Sequence, residues 1–189
     1  MGCDIHMYVE KKNLESGGWE FAPAGEESPG TRSYGDTLYC DWYSGRNYEL
    51  FAILAGVRNS SGLTPISEPR GLPDNVSDGF LREYGFEVLD DLEYEALEEK
   101  DIYEVEKYIS SSSSEQWLRC KWSQLLTLSD GTRLTSNPDA HSLSYLTVED
   151  MSCGLLDQGY VSSNFTKLLS ALKKLGDPRH VRIIFFFDN

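Results

Sequence analysis

Two of the three histidines in this chain sit in the same triplet, Asp4-Ile5-His6 near the start and Asp139-Ala140-His141 far downstream, each with a carboxylate two residues before the imidazole. On a β-strand, residues i and i+2 point to one face, so Asp4 and His6 present oxygen and nitrogen groups side by side. Two chemistries use that pairing. One is proton transfer through an imidazole oriented by a carboxylate; the other is ligation of a divalent cation by mixed imidazole and carboxylate groups. The metal reading takes Asp4, His6, Asp139 and His141 as ligands, with Asp188 as a further carboxylate.

A strand bearing Asp-x-His also opens the site of the metallophosphoesterases. The Gly-Asp, Gly-Asn-His and later histidine motifs of those enzymes are missing here, and His180 is the one remaining imidazole. A divalent metal ion and a metal-dependent phosphohydrolase are therefore the alternative, and no cofactor is the expectation. Nucleophilic catalysis has less support, because there is no Gly-x-Ser-x-Gly elbow and no Gly-x-x-x-x-Gly-Lys phosphate loop.

Anion binding draws on Arg46, Arg58, Arg70, Arg179 and Arg182, whose guanidinium forks suit phosphate, and on Tyr39, Trp42, Tyr43 and Tyr48, whose faces can stack on a nucleobase. Arg70 lies in Pro69-Arg70-Gly71-Leu72-Pro73, where the prolines stiffen the loop and Gly71 allows a close backbone approach. The plainer reading of any one arginine is a pair with one of the many carboxylates, and of the aromatics, simple packing.

These groups need elements to hold them. Cys3, Ile5, Met7 and Val9 alternate with Asp4, His6, Tyr8 and Glu10, the period-two pattern of a half-buried strand. Gly17-Gly18 turns the chain into Trp19-Glu20-Phe21, which predicts a hairpin. Residues 23–44 read as an aromatic loop, and Ser44 as the cap of a helix from Arg46 to Ala55 that Gly56 stops. The densely acidic stretch 83–107 still carries Leu89, Leu92, Tyr94 and Leu97, and predicts a partly helical insertion. Ser112-x-x-Glu115 matches a capping box leading into a helix with Trp117, Leu118, Trp122, Leu125 and Leu126. The polar stretch 127–141 puts the second Asp-x-His triplet on a loop or strand edge. Further helices are expected from Thr147 and over Asn164 to Leu175, and Val181 to Phe187 reads as a central strand buried on both faces.

The expectation is a single α+β domain over 1–189: a central sheet holding the N- and C-terminal strands, packed by helices, with an acidic helical insertion. Cys3, Cys40, Cys120 and Cys153 are scattered singly, which fits a reducing compartment better than structural zinc. A formal net charge of −14 argues against direct nucleic-acid binding through a basic surface. It leaves open an acidic protein that mimics DNA toward a host protein. No apolar run approaches the roughly 20 residues that span a bilayer, so a soluble, cytoplasmic protein with no membrane partner is expected. A homo-oligomer stays open.

Met1-Gly2-Cys3-Asp4-Ile5-His6, Arg46-Asn47-Tyr48-Glu49-Leu50-Phe51, Ala55-Gly56-Val57-Arg58-Asn59, Pro69-Arg70-Gly71-Leu72-Pro73, the stretch from Asp139-Ala140-His141 to Thr147, and Phe187-Asp188-Asn189 together resemble a family of uncharacterised bacteriophage-encoded proteins. The resemblance spans both ends and the middle and leaves out the acidic insertion and the serine tract. It implies a phage origin and the host cytoplasm, and carries no catalytic mechanism. Proteins of this kind are commonly accessory or counter-defence factors, an associational argument. Joined to the arginine and aromatic inventory, it leads to a non-enzymatic protein that sequesters a nucleotide-derived immune signal. Arg46, Arg58 and Arg70 would meet phosphate, Trp42 or Tyr43 the base, and the Asp/His pairs the ribose, with Tyr48 and Asp188 beside them.

Overall fold

A computed structural model describes residues 2–73, 75–84, 86–92, 102–109, 114–120, 123–127, 131–136, 140–158 and 162–188. Strand β1 (Asp4–Lys12) pairs along its length with β11 (Val181–Asp188), antiparallel, with Asp4 opposite Asp188 and His6 opposite Phe186. β2 (Trp19–Phe21) returns on the other edge of β1, and β10 (His141–Thr147) flanks β11, so the sheet order is β10-β11-β1-β2. The two ends of the chain therefore form the centre of the sheet. β11 is buried along nearly its whole length because both of its faces are covered.

One face carries Cys3, Ile5, Met7 and Val9 with Ile183, Phe185 and Phe187, and packs on helices α1 (Tyr48–Ala55), α3 (Val148–Gln158) and α4 (Ser163–Lys173). In α1 every residue from Leu50 to Ala55 is buried, so the helix runs through the core. It starts one turn later than Ser44 would place it. Gly45 stands at φ +126°, and Asn47 is the cap, its side chain accepting the Leu50 N–H at 3.1 Å. Gly56 ends the helix in the left-handed region, its N–H donating to the Ala52 carbonyl while the Val57 N–H reaches Phe51. α3 opens with a reciprocal box: the Asp150 N–H donates to Thr147 Oγ1 and the Thr147 N–H to Asp150 Oδ2, each at 3.0 Å.

The opposite face carries a second core of Leu72, Phe80, Phe86, Leu134, Leu143 and Ile184. Phe80 comes from helix α2 (Asp78–Tyr84), and Leu134 from a second sheet that the sequence does not announce. That sheet orders β5 (Glu87–Leu89), β9 (Arg133–Ser136), β8 (Ser123–Thr127), β7 (Ser114–Cys120) and β6 (Ile102–Ile109), all antiparallel.

One expected helix is corrected here, and the acidic insertion is of mixed structure. Among its described residues, the acidic insertion is helical at Asp91 and Leu92 beyond the end of α2, and otherwise forms β5 and β6. Tyr103, Val105 and Ile109 alternate with Glu104 and Glu106, the period-two pattern of a strand at the end of the acidic stretch. The helix expected after Ser112 is instead the β7–β8 hairpin, with Trp117 opposite Leu126. Short apolar runs fit either period, and here the cross-strand ladder decides. Ser112 itself, residues 93–101 and Asp139 lie outside the described residues. The aromatic loop 23–44 contains a small hairpin, β3 (Arg32–Tyr34) with β4 (Thr37–Tyr39). No helix among the described residues is long and apolar enough to cross a membrane.

Candidate functional site

The even-numbered positions of β1 point away from α1, α3 and α4. At the N-terminal end of the strand, where the second core has not begun, Asp4 and His6 open into a cleft of about 530 Å³. Its walls include Tyr8 on β1, Asp188 on β11, Glu83 on α2, Arg32 on β3, and Asp41, Tyr43, Ser44 and Gly45 on the segment leading to α1.

His6 Nε2 lies 2.9 Å from Asp188 Oδ2, and its ring stacks on Phe186 at 4.6 Å between centroids and 7° between planes. The imidazole is thus fixed by a carboxylate at its edge and an aromatic ring against its face. Asp188 Oδ1 also accepts the Asp4 N–H at 3.3 Å. Arg46 grips Asp4 with both arms of its fork, Nε at 2.5 Å from Oδ1 and Nη2 at 2.6 Å from Oδ2. That grip holds the Asp4 carboxyl below its ordinary range. Arg32 Nη1 donates to Asp41 Oδ2 at 2.7 Å and lies over the Tyr39 ring. Tyr8 is packed among Phe80, Tyr84 and Phe186, and burial pushes its hydroxyl up to about 12.

Of the residues singled out from sequence, Asp4, His6, Tyr43 and Asp188 line this cleft, and Arg46 joins it through Asp4. Tyr48 is not among the residues that line it; its hydroxyl accepts the Cys3 N–H at 3.4 Å and its ring packs on Phe51. The others are placed elsewhere. Trp42 is in the core, with its indole N–H donating to the Ala22 carbonyl at 2.8 Å, so it offers no stacking face. Arg58, at φ +54°, hydrogen-bonds the buried Cys3 thiol, whose burial outweighs that bond and pushes its pKa up.

Arg70 lines a separate groove of about 350 Å³ with Ile66, Asp150 and Cys153, where it lies 3.6 Å from Asp150 and over the Tyr145 ring. His141 stacks on Phe187, which packs on Phe51 of α1, whereas His6 stacks on Phe186. Neighbouring residues of β11 face opposite ways, so the two Asp-x-His histidines lie on opposite faces of the sheet. A joint site for them, and for Arg46 with Arg70, is corrected by this geometry.

Sequence reasoning missed Arg32, Asp41 and Glu83. Arg32 and Asp41 sit in a loop with no periodicity, and Glu83 is one acid among many. Among the described residues, no group of three or more His, Cys, Asp or Glu side chains is arranged to hold a metal ion. Chemically, the cleft offers paired carboxylate acceptors, an oriented imidazole and an aromatic wall. Comparison of the chain with family models, with curated proteins and with solved structures finds no match.

Proposed function

We propose that this chain is a binding protein that sequesters a nucleotide-derived small molecule in the cleft beside His6 and Asp188. One observation carries the reading: an oriented imidazole, paired carboxylates and tyrosine walls converge on a concavity of about 530 Å³. That volume falls within the roughly 300–1,000 Å³ of small-molecule sites, which combine apolar walls with a few placed polar groups. The site is also preorganised. Arg46 holds Asp4, Arg32 holds Asp41 and Asp188 holds His6, so a ligand meets side chains already ordered by their neighbours.

The resemblance to phage-encoded proteins supplies the biological setting, a counter-defence factor that withdraws a host immune signal from solution. Native mass spectrometry of protein purified from cells with an active nucleotide-signalling defence tests the reading. The expected spectrum contains a bound nucleotide-sized mass that His6→Ala with Asp188→Asn removes. A clean unliganded mass for the wild type contradicts it, and a bound cleavage product identifies turnover instead of sequestration.

A further inference from the structure

We infer that the cleft takes the ribose end of its ligand and keeps phosphate in solvent, so that it selects a nucleoside-type molecule with a free 2′-hydroxyl over a polyphosphate. The inference rests on the binding reading above and concerns the same site. Its basis is the charge left over once the internal pairs are formed. Arg46 is paired with Asp4 through Nε and Nη2, and Arg32 with Asp41 through Nη1, so each positive charge already faces a carboxylate. Asp188 is shared with His6, and Glu83 adds a carboxylate that forms no ion pair among the described residues.

A phosphate entering the cleft meets like charge from Asp188 and Glu83 in a partly enclosed space. Taking a guanidinium from Asp4 or Asp41 instead strands a carboxylate beside the new anion. Hydroxyl groups meet the opposite situation. A carboxylate has about four acceptor positions. Asp188 uses one oxygen for His6 and the other for the Asp4 N–H, which leaves lone pairs on both. Acidic side chains take ribose hydroxyls in this manner in dinucleotide sites. Asp4 and Asp188 are register partners on adjacent strands. Their carboxylates therefore stand as neighbours, able to receive two adjacent hydroxyls of one sugar.

Isothermal titration calorimetry at fixed ionic strength, with the four common ribonucleosides, their 2′-deoxy forms, and their 5′-mono- and triphosphates, tests the inference. The expected result is binding of at least one ribonucleoside, with affinity falling from nucleoside to triphosphate and falling about ten-fold on loss of the 2′-hydroxyl. Glu83→Gln, a change at an exposed position, narrows the gap between nucleoside and triphosphate. Affinity that is flat or rises with added phosphate, or is indifferent to the 2′-hydroxyl, overturns the inference while leaving the binding reading intact. Absence of binding by every nucleoside and nucleotide overturns the binding reading and the inference with it.

Discussion

His6 and Asp188, 182 positions apart in the chain, meet at 2.9 Å across the central strand pair. The contact exists because β1 and β11 are antiparallel neighbours in a register that sets Asp4 opposite Asp188, so the same ladder that closes the fold assembles the polar end of the cleft. Half-exposed on the rim, the pair is expected to contribute little to stability.

Asp188→Asn is expected to lower affinity for the proposed nucleotide-derived ligand about ten-fold while changing unfolding free energy by less than about 1 kcal/mol. Calorimetry and urea denaturation on the same preparation check it. A large loss of stability with affinity unchanged would assign the pair to the fold alone.

Gly30 packs directly against the wall of the cleft. A Cβ built there lies 2.6 Å from the Tyr43 carbonyl carbon and 2.7 Å from the Asp41 oxygen, backbone atoms that cannot swing aside. Gly30→Ala must therefore displace the segment carrying Asp41, Tyr43 and Ser44. Ligand affinity should fall several-fold, and the Arg32 to Asp41 pair should be disturbed. Wild-type affinity in this variant would show that the 41–45 wall is dispensable.

The buried pair of Glu10 and Arg182 anchors the other end of the same strands. Arg182 Nε donates to Glu10 Oε2 at 2.7 Å and its guanidinium lies 3.9 Å over the Trp19 ring, while Glu10 Oε1 accepts the Ser77 N–H at 2.8 Å. Removing one partner leaves an uncompensated charge, so Arg182→Ala should cost about 3–5 kcal/mol, and Glu10→Leu combined with Arg182→Met should cost much less. Urea unfolding followed by tryptophan fluorescence measures both. Equal losses in the two variants would contradict the account.

Tyr8 gives a pH dependence. Burial raises its folded pKa to about 12 from an ordinary value of 10.0, so the folded state holds the proton more tightly than the unfolded chain. The resulting stabilisation is complete below pH 10 and is lost as the pH rises from 10 toward 12, because the unfolded state ionises first. Each unit corresponds to about 1.4 kcal/mol. Tyr8→Phe should remove this part of the alkaline loss and leave the rest of the stability–pH curve in place. An identical alkaline slope in both proteins would show that Tyr8 does not hold its proton.

The sequence reveals the four-stranded sheet far better than the five-stranded one. Alternation from Cys3 to Glu10 and the apolar run from Val181 to Phe187 are strong local patterns, and Asn164 to Leu175 shows a clean helical period with a Gly-Pro stop close behind. The second sheet is hidden because Trp117, Leu118, Leu125 and Leu126 satisfy a helical reading until cross-strand pairing is known. At the site, Asp4 and His6 follow from their shared face and Asp188 from its place at the chain's end. Arg32, Asp41 and Glu83 do not, because only the fold brings a loop hairpin and the end of α2 to that rim. Trp42 shows the reverse limit: residue type suggested stacking, whereas its indole N–H is used inside the core.

The three histidines provide the most direct test of the central claim. His6 lies in the cleft, His141 on the opposite face and His180 in the turn before β11, so their imidazole NMR signals report on three separate places. Adding a small-molecule extract from cells with an active nucleotide-signalling defence should shift the His6 signal and leave those of His141 and His180 in place. An unmoved His6 signal in a protein that demonstrably retains a nucleotide from the extract would place binding elsewhere and contradict the account.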